Sequence, residues 1–391
     1  MIGGGQLARM THQAAIGLGV GFRVMARSSR ESAALVCGDM RLGDHRSLDD
    51  LRGFAKDSDV VTFDHEHVPS EHLRALLAEG VRLRPSADAL LHAQDKAVMR
   101  ARLSAMGAPA PRFRGIQGPS DVAEFAEEVG WPVVLKAARG GYDGRGVWVV
   151  GSTDEAERLL ERTADLSFLA EEQIAFRREL TALVARSPYG QAVAYPIVET
   201  VQEDGICREV IAPAPRLPEE RAVTAQRVAL GIGAALDVVG VLAVELFDTG
   251  DGVLVNELAM RPHNSGHWTI EGARTSQFEQ HLRAVLDLPL GSPHQTAPHV
   301  VMANVLGGDD PDLYSRYVHV MAHDPAVKVH VYGKEVRPGR KIGHVTALGD
   351  DLEDVRARAR HAAEYLRGPQ GPTSGKPLRR PLRERLRGEL P

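Results

Sequence analysis

The sequence predicts an α/β protein with two or three packed subdomains. Its 391 residues exceed the length that a single hydrophobic core usually organises. Within the first ninety or so residues, short apolar runs at 21–25, 59–63 and 81–83 alternate with helical stretches such as 70–79. This alternation is typical of a parallel α/β domain. From Trp131 onward the pattern changes to short β-rich runs separated by helices, which indicates a second kind of unit.

Breaks in this pattern predict the domain boundaries. A helix over 95–106 ends at Gly107 and is followed by prolines, which favours a new unit close to its start. After Pro293 a smaller β-containing region follows, and it ends in a helix over 351–366. The tail is rich in Pro, Gly and Arg, so we expect it to pack poorly. The predicted units are 1–92, 93–290, 291–367 and a tail over 368–391.

Composition narrows the class of protein. The chain is 43% hydrophobic and 25% charged, with a formal net charge of −5, so it offers no general attraction to nucleic acid or to acidic membranes. Its two cysteines, Cys37 and Cys207, lack a metal-type spacing, and such sparse usage fits a reducing compartment. No apolar run approaches membrane-spanning length. The N-terminus leads directly into Gly3-Gly4-Gly5 rather than into the charged and apolar segments of a signal peptide. We therefore expect a cytoplasmic protein that is neither exported nor embedded in a membrane.

The segment 136–146 is the most informative loop. Two β-like runs flank four glycines, so the backbone can fold over a phosphate chain while Lys136 supplies a positive charge from the strand end. It is not a Walker A loop, because neither Gly-Lys-Ser/Thr nor a helix follows. The alternative is a long flexible hairpin tip.

Two glutamates give a second, independent signal. Glu245 and Glu257 lie on apolar runs joined by a turn-rich segment, and their positions are symmetric about Asp251. In a hairpin centred there they would face each other. Opposed carboxylates repel unless a cation lies between them, and hard oxygen ligands beside a phosphate loop favour Mg²⁺. A register slip that separates the two, or an exposed sheet face, is the alternative.

Polar and cationic residues follow these strands, where a core strand would have continued. The string 260–269 contains Arg261, His263 and Asn264, a dense set of donors suited to a small anion such as bicarbonate and to the charge that develops on it. A hydrogen-bonded loop without a ligand is the alternative.

Three weaker features leave alternatives open. The string 334–341 places four cations around a Pro-Gly turn, which suits a phosphomonoester but equally a solvated turn. The string 64–67 resembles a metal cluster, but neighbours on a strand point to opposite faces, so hydrogen bonding of a substrate by Glu66 is preferred. Gly3-x-Gly5-x-x-Ala8 suits either a tight turn or an anion site, and Arg27 replaces the acidic ribose ligand of nicotinamide sites.

Together these motifs resemble the ATP-grasp superfamily and, within it, the 5-(carboxyamino)imidazole ribonucleotide synthase family of purine biosynthesis. The loop and the glutamate pair point only to the superfamily. The strings His263-Asn264-Ser265-Gly266-His267-Trp268-Thr269 and Lys334-Glu335-Val336-Arg337-Pro338-Gly339-Arg340-Lys341, found together, are more specific. The resemblance implies an ATP-grasp fold with an N-terminal Rossmann-like preATP-grasp domain and a small C-terminal β-containing domain. It also implies a homodimer.

The resemblance assigns roles to particular residues. ATP would be bound by Lys136, Gly141, Tyr142, Asp143, Gly144, Arg145, Gly146, Glu171, Glu172, Gln173, Ile174, Glu179, Asn256 and Glu257. Mg²⁺ would be held by Glu245 and Glu257. Aminoimidazole ribonucleotide would be bound by Glu66, Tyr142, Asp143, Arg145, Lys334 and Arg340. Catalysis with bicarbonate would involve Arg261, His263, Asn264 and Lys136.

Two departures from the family pattern and several rival functions accompany this interpretation. Only Met1 and Ile2 precede Gly3, so we expect a truncated or misassigned start and a weakened first sheet, and the tail beyond Gly368 is unusually basic. Rival functions are a formate-using purine transformylase, a biotin carboxylase-like ligase, and a nucleotide-binding regulator without catalysis. Nicotinamide-dependent oxidoreduction is a distant alternative.

Overall fold

The computed structural model describes residues 1–140 and 146–368. The predictions for Gly141, Tyr142, Asp143, Gly144 and Arg145, and for the tail from residue 369, lie outside the described residues. Within the described part of the chain, no helix is long and apolar enough to cross a membrane.

The N-terminal part is a small parallel α/β unit. Its elements are α1 (Gln6–Leu18), β1 (Arg23–Ala26), β2 (Asp39–Leu42), α2 (Leu48–Ala55), α3 (Ser70–Ala78), α4 (Ala87–Gln94) and α5 (Lys96–Ala105). Strands β1 and β2 pair in parallel, and Ile2 forms parallel bridges to both Met25 and Phe63. The predicted strands at 59–63 and 81–83 are reduced to single bridges, of which Val61 to Leu83 is one. The first sheet therefore consists of the β1–β2 pair and isolated bridges.

The second unit is a four-stranded antiparallel sheet with two helices. Its elements are β3 (Phe113–Ile116), α6 (Pro119–Val129), β4 (Val133–Ala137), β5 (Val147–Val150), α7 (Thr153–Arg162) and β6 (Phe168–Glu172). The strand order is β3-β6-β4-β5, and α6 and α7 share a separate small core with the sheet. Lys136 lies on β4 and Glu171 on β6, so the two pairing strands carry both residues to the same part of the sheet.

The remaining strands form one large antiparallel sheet. They are β7 (Arg178–Arg186), β8 (Ala192–Ala194), β9 (Val198–Glu203), β10 (Ile206–Ala212), β11 (Gly240–Asp248), β12 (Val253–Ala259), β13 (His299–Leu306), β14 (Lys328–Val331) and β15 (Lys341–Gly349). The order is β12-β11-β7-β9-β10-β13-β15-β14, with β8 beside β7. Because β10 pairs directly with β13, the predicted small C-terminal unit continues this sheet. The boundaries at residues 92 and 290 stay predictions.

Helices cover the large sheet. They are α8 (Glu219–Ala235), α9 (Thr269–Gly272), α10 (Gln277–Val285), α11 (Tyr314–His323) and α12 (Leu352–Arg367), with a short 3₁₀ turn at Asn264–Gly266. A single core joins Ile2 and the N-terminal helices to β7, β11 and β12. This shared core fixes the N-terminal unit against the strands that carry Glu245 and Glu257.

Candidate active site

A cavity of about 770 Å³ lies where the described units meet. The N-terminal unit, the four-stranded sheet and the large sheet all contribute to its wall. Most of the predicted site residues line it, namely Glu66, Lys136, Glu171, Glu172, Gln173, Ile174, Glu179, Glu245, Asn256, Glu257, Arg261, His263 and Asn264. Residues that are far apart in the sequence therefore reach one space of a size typical for a cofactor or nucleotide.

Glu245 and Glu257 face each other across β11 and β12, as predicted. The sequence symmetry about Asp251 does not account for this pairing alone, because Asp248 pairs with Val253 near the turn. A β-bulge then places Leu246 opposite Val255, so that Asn256 is an extra residue and Glu257 moves opposite Glu245. The bulge also lets Asn256 and Glu257 both reach the cavity, although consecutive strand residues ordinarily point to opposite faces.

The surroundings of this pair disfavour ionisation of both carboxyl groups at once. Burial, and next the facing Glu257, raise the pKa of Glu245. One cation relieves the pair directly, since the Lys96 ammonium contacts Glu257 Oε1 at 2.5 Å. Two opposed carboxylates with a neighbouring amide oxygen form a hard oxygen donor set, and an ammonium already contacts one of them. These residues therefore fit a divalent cation such as Mg²⁺.

Lys136 belongs to a buried ion-pair network. Its Nζ lies 2.8 Å from Glu171 Oε2 and donates to Asn256 Oδ1 at 3.0 Å. Arg100, which is fully buried, binds the same Glu171 carboxylate through two nitrogens and also donates to the carbonyls of Val255 and Asn256. Burial opposes ionisation of Glu171, but Lys136 and Arg100 outweigh it and hold its pKa below the usual range. The network fixes Lys136 next to the hairpin that carries Glu245 and Glu257.

One end of the cavity has an apolar wall suited to a flat ring. The aromatic rings of Phe176 and Phe247 stack with centroids 4.6 Å apart, and Ile174 lies beside them in the wall. Glu179 lies in the same region and accepts a hydrogen bond from Gln202 at 3.4 Å. Burial raises the pKa of Glu179. A carboxylate at the rim of an apolar slot can accept hydrogen bonds from the hydroxyl groups of a bound sugar.

The other end of the cavity contains the predicted anion site. Arg261 donates to Glu66 Oε2 at 2.7 Å, while Glu66 Oε1 is buried without a partner among the described residues. The His263 ring lies between Ser265 Oγ at 2.8 Å and Glu245 Oε1 at 3.4 Å. Burial, reinforced by Arg261, lowers the pKa of His263 to about 3, so the imidazole is neutral at physiological pH.

The tautomer of His263 follows from its partners. The backbone N–H of Ser265 donates to Nδ1, which leaves the ring proton on Nε2, directed toward Glu245. Asn264 was predicted to take part in the anion site, but its side-chain amide already forms two hydrogen bonds with the Asn304 amide, at 2.9 and 2.8 Å. Arg261 and His263 thus have groups directed to the cavity, whereas the Asn264 side chain is held by Asn304.

The first residues of the string 263–269 line the cavity, whereas the last three are buried in the protein core. His267, Trp268 and Thr269 are fully buried, and Gln277 binds His267 Nδ1 at 3.1 Å. Thr269 donates to the Gly266 carbonyl at 2.6 Å and accepts from the Gln277 N–H. The hydrogen-bonded loop that was the alternative interpretation therefore describes the second half of the string, while His263 lines the cavity.

Asp64 resolves the ambiguity at the N-terminus of α1. Its carboxylate accepts from the N–H groups of Gly5 at 2.5 Å and Ala8 at 3.1 Å, so the chain itself supplies the anion at this helix end. A Cβ at Gly5 would lie 2.3 Å from Asp64 Oδ2, and Gly3 has a φ of 103°. The glycines of this motif are explained by the close approach of Asp64, which favours the structural interpretation.

Not all predicted residues reach the cavity wall. Lys334 and Arg340 lie on the loop between β14 and β15, outside the residues that line the cavity. Lys334 Nζ lies 5.7 Å from the centre of the Tyr332 ring, and Arg340 donates to the Glu335 carbonyl at 3.3 Å. Lys341, from the same string, does line the cavity. Gly146 is described, but it also lies outside the lining residues.

Several cavity residues escaped the sequence analysis. Lys96 is the first residue of α5, and its backbone N–H donates to the Ala138 carbonyl at 2.9 Å, so its ammonium lies near Lys136 and Glu257. The only sequence signal was its position after Asp95, whose side chain caps α5. Thr200 and Gln202, which line the cavity, and Arg100, which binds Glu171, carried no signal, because their roles arise from contacts between distant segments.

Comparison with known families matches three consecutive parts of the chain. Residues 1–94 match the ribonucleotide synthetase preATP-grasp domain, residues 101–278 the ATP-grasp domain, and residues 300–358 the phosphoribosylaminoimidazole carboxylase C-terminal domain. The N5-carboxyaminoimidazole ribonucleotide synthase of Mycobacterium tuberculosis is 56% identical over 94% of this chain and 87% of the relative. The chain belongs to the N5-carboxyaminoimidazole ribonucleotide synthase family. It is accordingly an ATP-dependent ligase of the ATP-grasp superfamily.

Other members of this family agree in sequence and structure. The N5-carboxyaminoimidazole ribonucleotide synthase of Corynebacterium ammoniagenes is 48% identical over 94% of this chain and 91% of the relative. The crystal structure of the Thermus thermophilus synthetase has a TM-score of 0.84 and 37% identity, covering 96% of this chain and 100% of that one. The Aspergillus clavatus synthase in complex with ADP and 5-aminoimidazole ribonucleotide has a TM-score of 0.84 and 33% identity, covering 93% and 98%. The predicted fold class is therefore confirmed.

Proposed function

We propose that this N5-carboxyaminoimidazole ribonucleotide synthase family member uses ATP and bicarbonate to carboxylate 5-aminoimidazole ribonucleotide, releasing ADP and phosphate. The observation that carries the proposal is that one cavity contains all the groups this reaction needs. The facing Glu245 and Glu257 line it together with Lys96 and Lys136. Arg261 and His263 line the same cavity. Family membership supports the choice of substrates, and the residues that line the cavity support the proposed position of each.

ATP would lie along the four-stranded sheet. Its adenine would occupy the slot beside residues 171–174 and the stacked phenylalanines, with the ribose near Glu179. Lys136 and Lys96 would bind the phosphate chain through charge-assisted hydrogen bonds. Residues 141–146 stay the proposed phosphate loop. Burial lowers the pKa of Lys136, and the ion pair with Glu171 partly offsets this effect.

Glu245, Glu257 and the amide oxygen of Asn256 would hold Mg²⁺. Bound there, the cation would offset charge on the phosphates during phosphoryl transfer. The contribution of the chain is to hold two carboxylates opposite each other through the bulge, before any ligand arrives. Lys96 would then move its contact from Glu257 toward the phosphates.

Arg261 and His263 would bind bicarbonate and the carboxyphosphate made from it. A bicarbonate oxygen attacks the γ-phosphorus, the bond to the ADP oxygen breaks, and ADP leaves. The exocyclic amine of the ribonucleotide then attacks the carbonyl carbon, phosphate leaves with the electron pair of the broken C–O bond, and the amine loses a proton. Arg261 would offset the anionic charge, and the neutral His263 would donate a hydrogen bond without adding a full charge.

The aminoimidazole ribonucleotide would enter next to Glu66. The buried Glu66 Oε1, without a partner in the described part of the chain, is an acceptor suited to an amine or a hydroxyl group. Lys334 and Arg340 stay proposed ligands of the phosphate group, as do Tyr142, Asp143 and Arg145 for the ribonucleotide. Lys341, which lines the cavity, is an additional cation for this group.

We further propose a homodimer in the cytoplasm. Helix α11 exposes Tyr314, Val318 and Met321, which lie on one helical face and would suit burial against a second copy. The two cysteines are not joined in a disulfide within the described residues, which is consistent with a reducing compartment. Sedimentation of the wild type and of a Val318→Asp variant tests the dimer. A dimer for both proteins would exclude this face as the interface.

Omitting one component at a time tests the proposed reaction. ADP release should require Mg²⁺, bicarbonate and aminoimidazole ribonucleotide together, and a magnesium chelator should stop it. Equal rates with formate in place of bicarbonate would favour a transformylase. Release that the ribonucleotide does not stimulate would contradict the specific assignment.

A further inference from the structure

Three histidines form a cluster outside the large cavity. His319 and His323 lie four residues apart on one face of α11, and His361 faces them from α12. Each offers a ring nitrogen, and the three nitrogens lie within 4.8 Å of one another. No residue that lines the large cavity comes from α11 or α12, so this cluster is separate from the proposed ATP site.

The spacing of the nitrogens matches the needs of a transition metal. Zinc binds imidazole nitrogen at about 2.0–2.1 Å, so two nitrogens of a tetrahedral site are about 3.3 Å apart. His319 Nε2 and His361 Nε2 are 3.1 Å apart, and the ring centroids of His323 and His361 are 4.4 Å apart. A side-chain rotation of His323 would complete three ligands, and water would take a fourth position.

The surroundings hold the cluster in place. The Tyr365 ring stacks on His319 with centroids 3.7 Å apart, which restrains that imidazole. Val320 of α11 and Ala359 and Ala362 of α12 belong to one buried core, so the two helices cannot separate easily. His323 is the last residue of α11, and the negative end of a helix dipole favours a cation.

We propose that His319, His323 and His361 form a binding site for a divalent transition metal of the Zn²⁺ class. Imidazole nitrogens favour Zn²⁺, Ni²⁺, Co²⁺ and Cu²⁺ over Mg²⁺, so the ion would differ from the one proposed for Glu245 and Glu257. The metal links α11 to α12 across the C-terminal part of the chain. Because it binds the folded state, it raises the free energy of unfolding as its concentration rises.

Calorimetric titration of the tag-free, metal-stripped full chain with Zn²⁺, in excess Mg²⁺, tests this site. We expect one tight Zn²⁺ per chain. His323→Ala and His361→Ala should each weaken binding by at least about tenfold, since removing even an outer-shell partner of a metal has that effect. His294→Ala, which removes an exposed histidine elsewhere, serves as the matched control and should bind as the wild type does.

Thermal unfolding with and without Zn²⁺ separates a metal site from a structural role. Zn²⁺ should raise the Tm of the wild type and of His294→Ala, but not that of His323→Ala. His323 lies at an exposed helix end, so its variant should fold even if His361→Ala does not. Equal Zn²⁺ affinity of the wild type and His323→Ala would overturn the proposal, as would tight binding that disappears in Glu257→Gln.

Discussion

Two acidic regions of the same cavity differ in how their charge is balanced. Glu171 is almost fully buried, and both of its oxygens are bound by Arg100 and Lys136. Glu245 and Glu257 instead face each other, with Lys96 as the one cation in contact with the pair among the described residues. The first region is neutralised by ion pairs within the chain, whereas in the second the pKa of Glu245 is raised to about 8, so without a bound cation this carboxyl group keeps its proton at neutral pH.

This difference separates residues that build the site from residues that bind the ligand. A buried charge whose partners come from the same chain gains nothing from a ligand, so Glu171 is best explained as the residue that positions Lys136. Opposed carboxylates in a cavity are unfavourable until a cation arrives, so the hairpin favours binding. Each region therefore has a different expected response to mutation.

The largest expected effect is on turnover in Glu257→Gln. The amide has the same shape but no charge, so the pair would hold the proposed Mg²⁺ far less tightly. We expect ADP release to fall at least about 10³-fold, the scale of losing one electrostatic group in a transition state. Glu203→Gln, an exposed glutamate on β9, is the control and should keep the wild-type rate. Wild-type turnover in Glu257→Gln would mean that the hairpin is not the metal site.

The next effect is on stability in Arg100→Met. Removing this fully buried guanidinium leaves Glu171 with Lys136 alone and two carbonyls without their donor. Breaking a buried ion pair typically lowers the free energy of unfolding by about 3–5 kcal/mol. Urea denaturation measures it, with the partly exposed Arg102→Met on the same helix as the control. An unchanged urea midpoint would show that Glu171 does not depend on Arg100.

A smaller effect is expected for Lys96→Met. If Lys96 moves from Glu257 to the ATP phosphates, its loss removes one charge-assisted hydrogen bond, and KM for ATP should rise about tenfold. Initial rates at varied ATP measure this, and Lys56→Met, which alters a lysine far from the cavity, should leave KM unchanged. An unchanged KM in Lys96→Met would confine this lysine to balancing Glu257.

The smallest effect concerns pH in the metal-free protein. The pKa of Glu245 is raised in the folded state, so folding favours its protonated form and stability falls as pH rises above about 4.5, its ordinary value. This slope is at most about 1.4 kcal/mol per pH unit, the value for one proton. Urea midpoints from pH 5 to 8 should show a shallower fall in Glu245→Gln than in the wild type. Parallel profiles would show that Glu245 does not titrate differently on folding.

Local patterns predicted much of this molecule. The glutamate pair, the strands on either side of it and the helix over 351–366 all follow from apolar periodicity and turn residues close together in the chain. Even there, the facing of Glu245 and Glu257 depends on a bulge at Asn256 that the residue pattern does not reveal. The assumed symmetry about Asp251 predicted the correct pair, although the pairing of Asp248 with Val253 shows that the turn is not centred on Asp251.

Long-range contacts account for what sequence reasoning missed. Lys96 and Arg100 occur on an unremarkable amphipathic helix, and only packing of α5 against β6 and β12 brings them to Glu171 and Glu257. Asp64 was grouped with histidines as a doubtful metal cluster, yet it caps a helix more than fifty residues away. Lys334 and Arg340, chosen for charge alone, lie outside the cavity wall, while Lys341 lines it.

Oxygen transfer from bicarbonate to phosphate tests the central claim most directly. If a bicarbonate oxygen attacks the γ-phosphorus within this cavity, that oxygen stays with phosphorus when phosphate leaves. Turnover with ¹⁸O-labelled bicarbonate, ATP and aminoimidazole ribonucleotide should therefore give phosphate that carries one ¹⁸O atom, detected by mass spectrometry. Phosphate that carries oxygen from water instead would contradict the proposed chemistry.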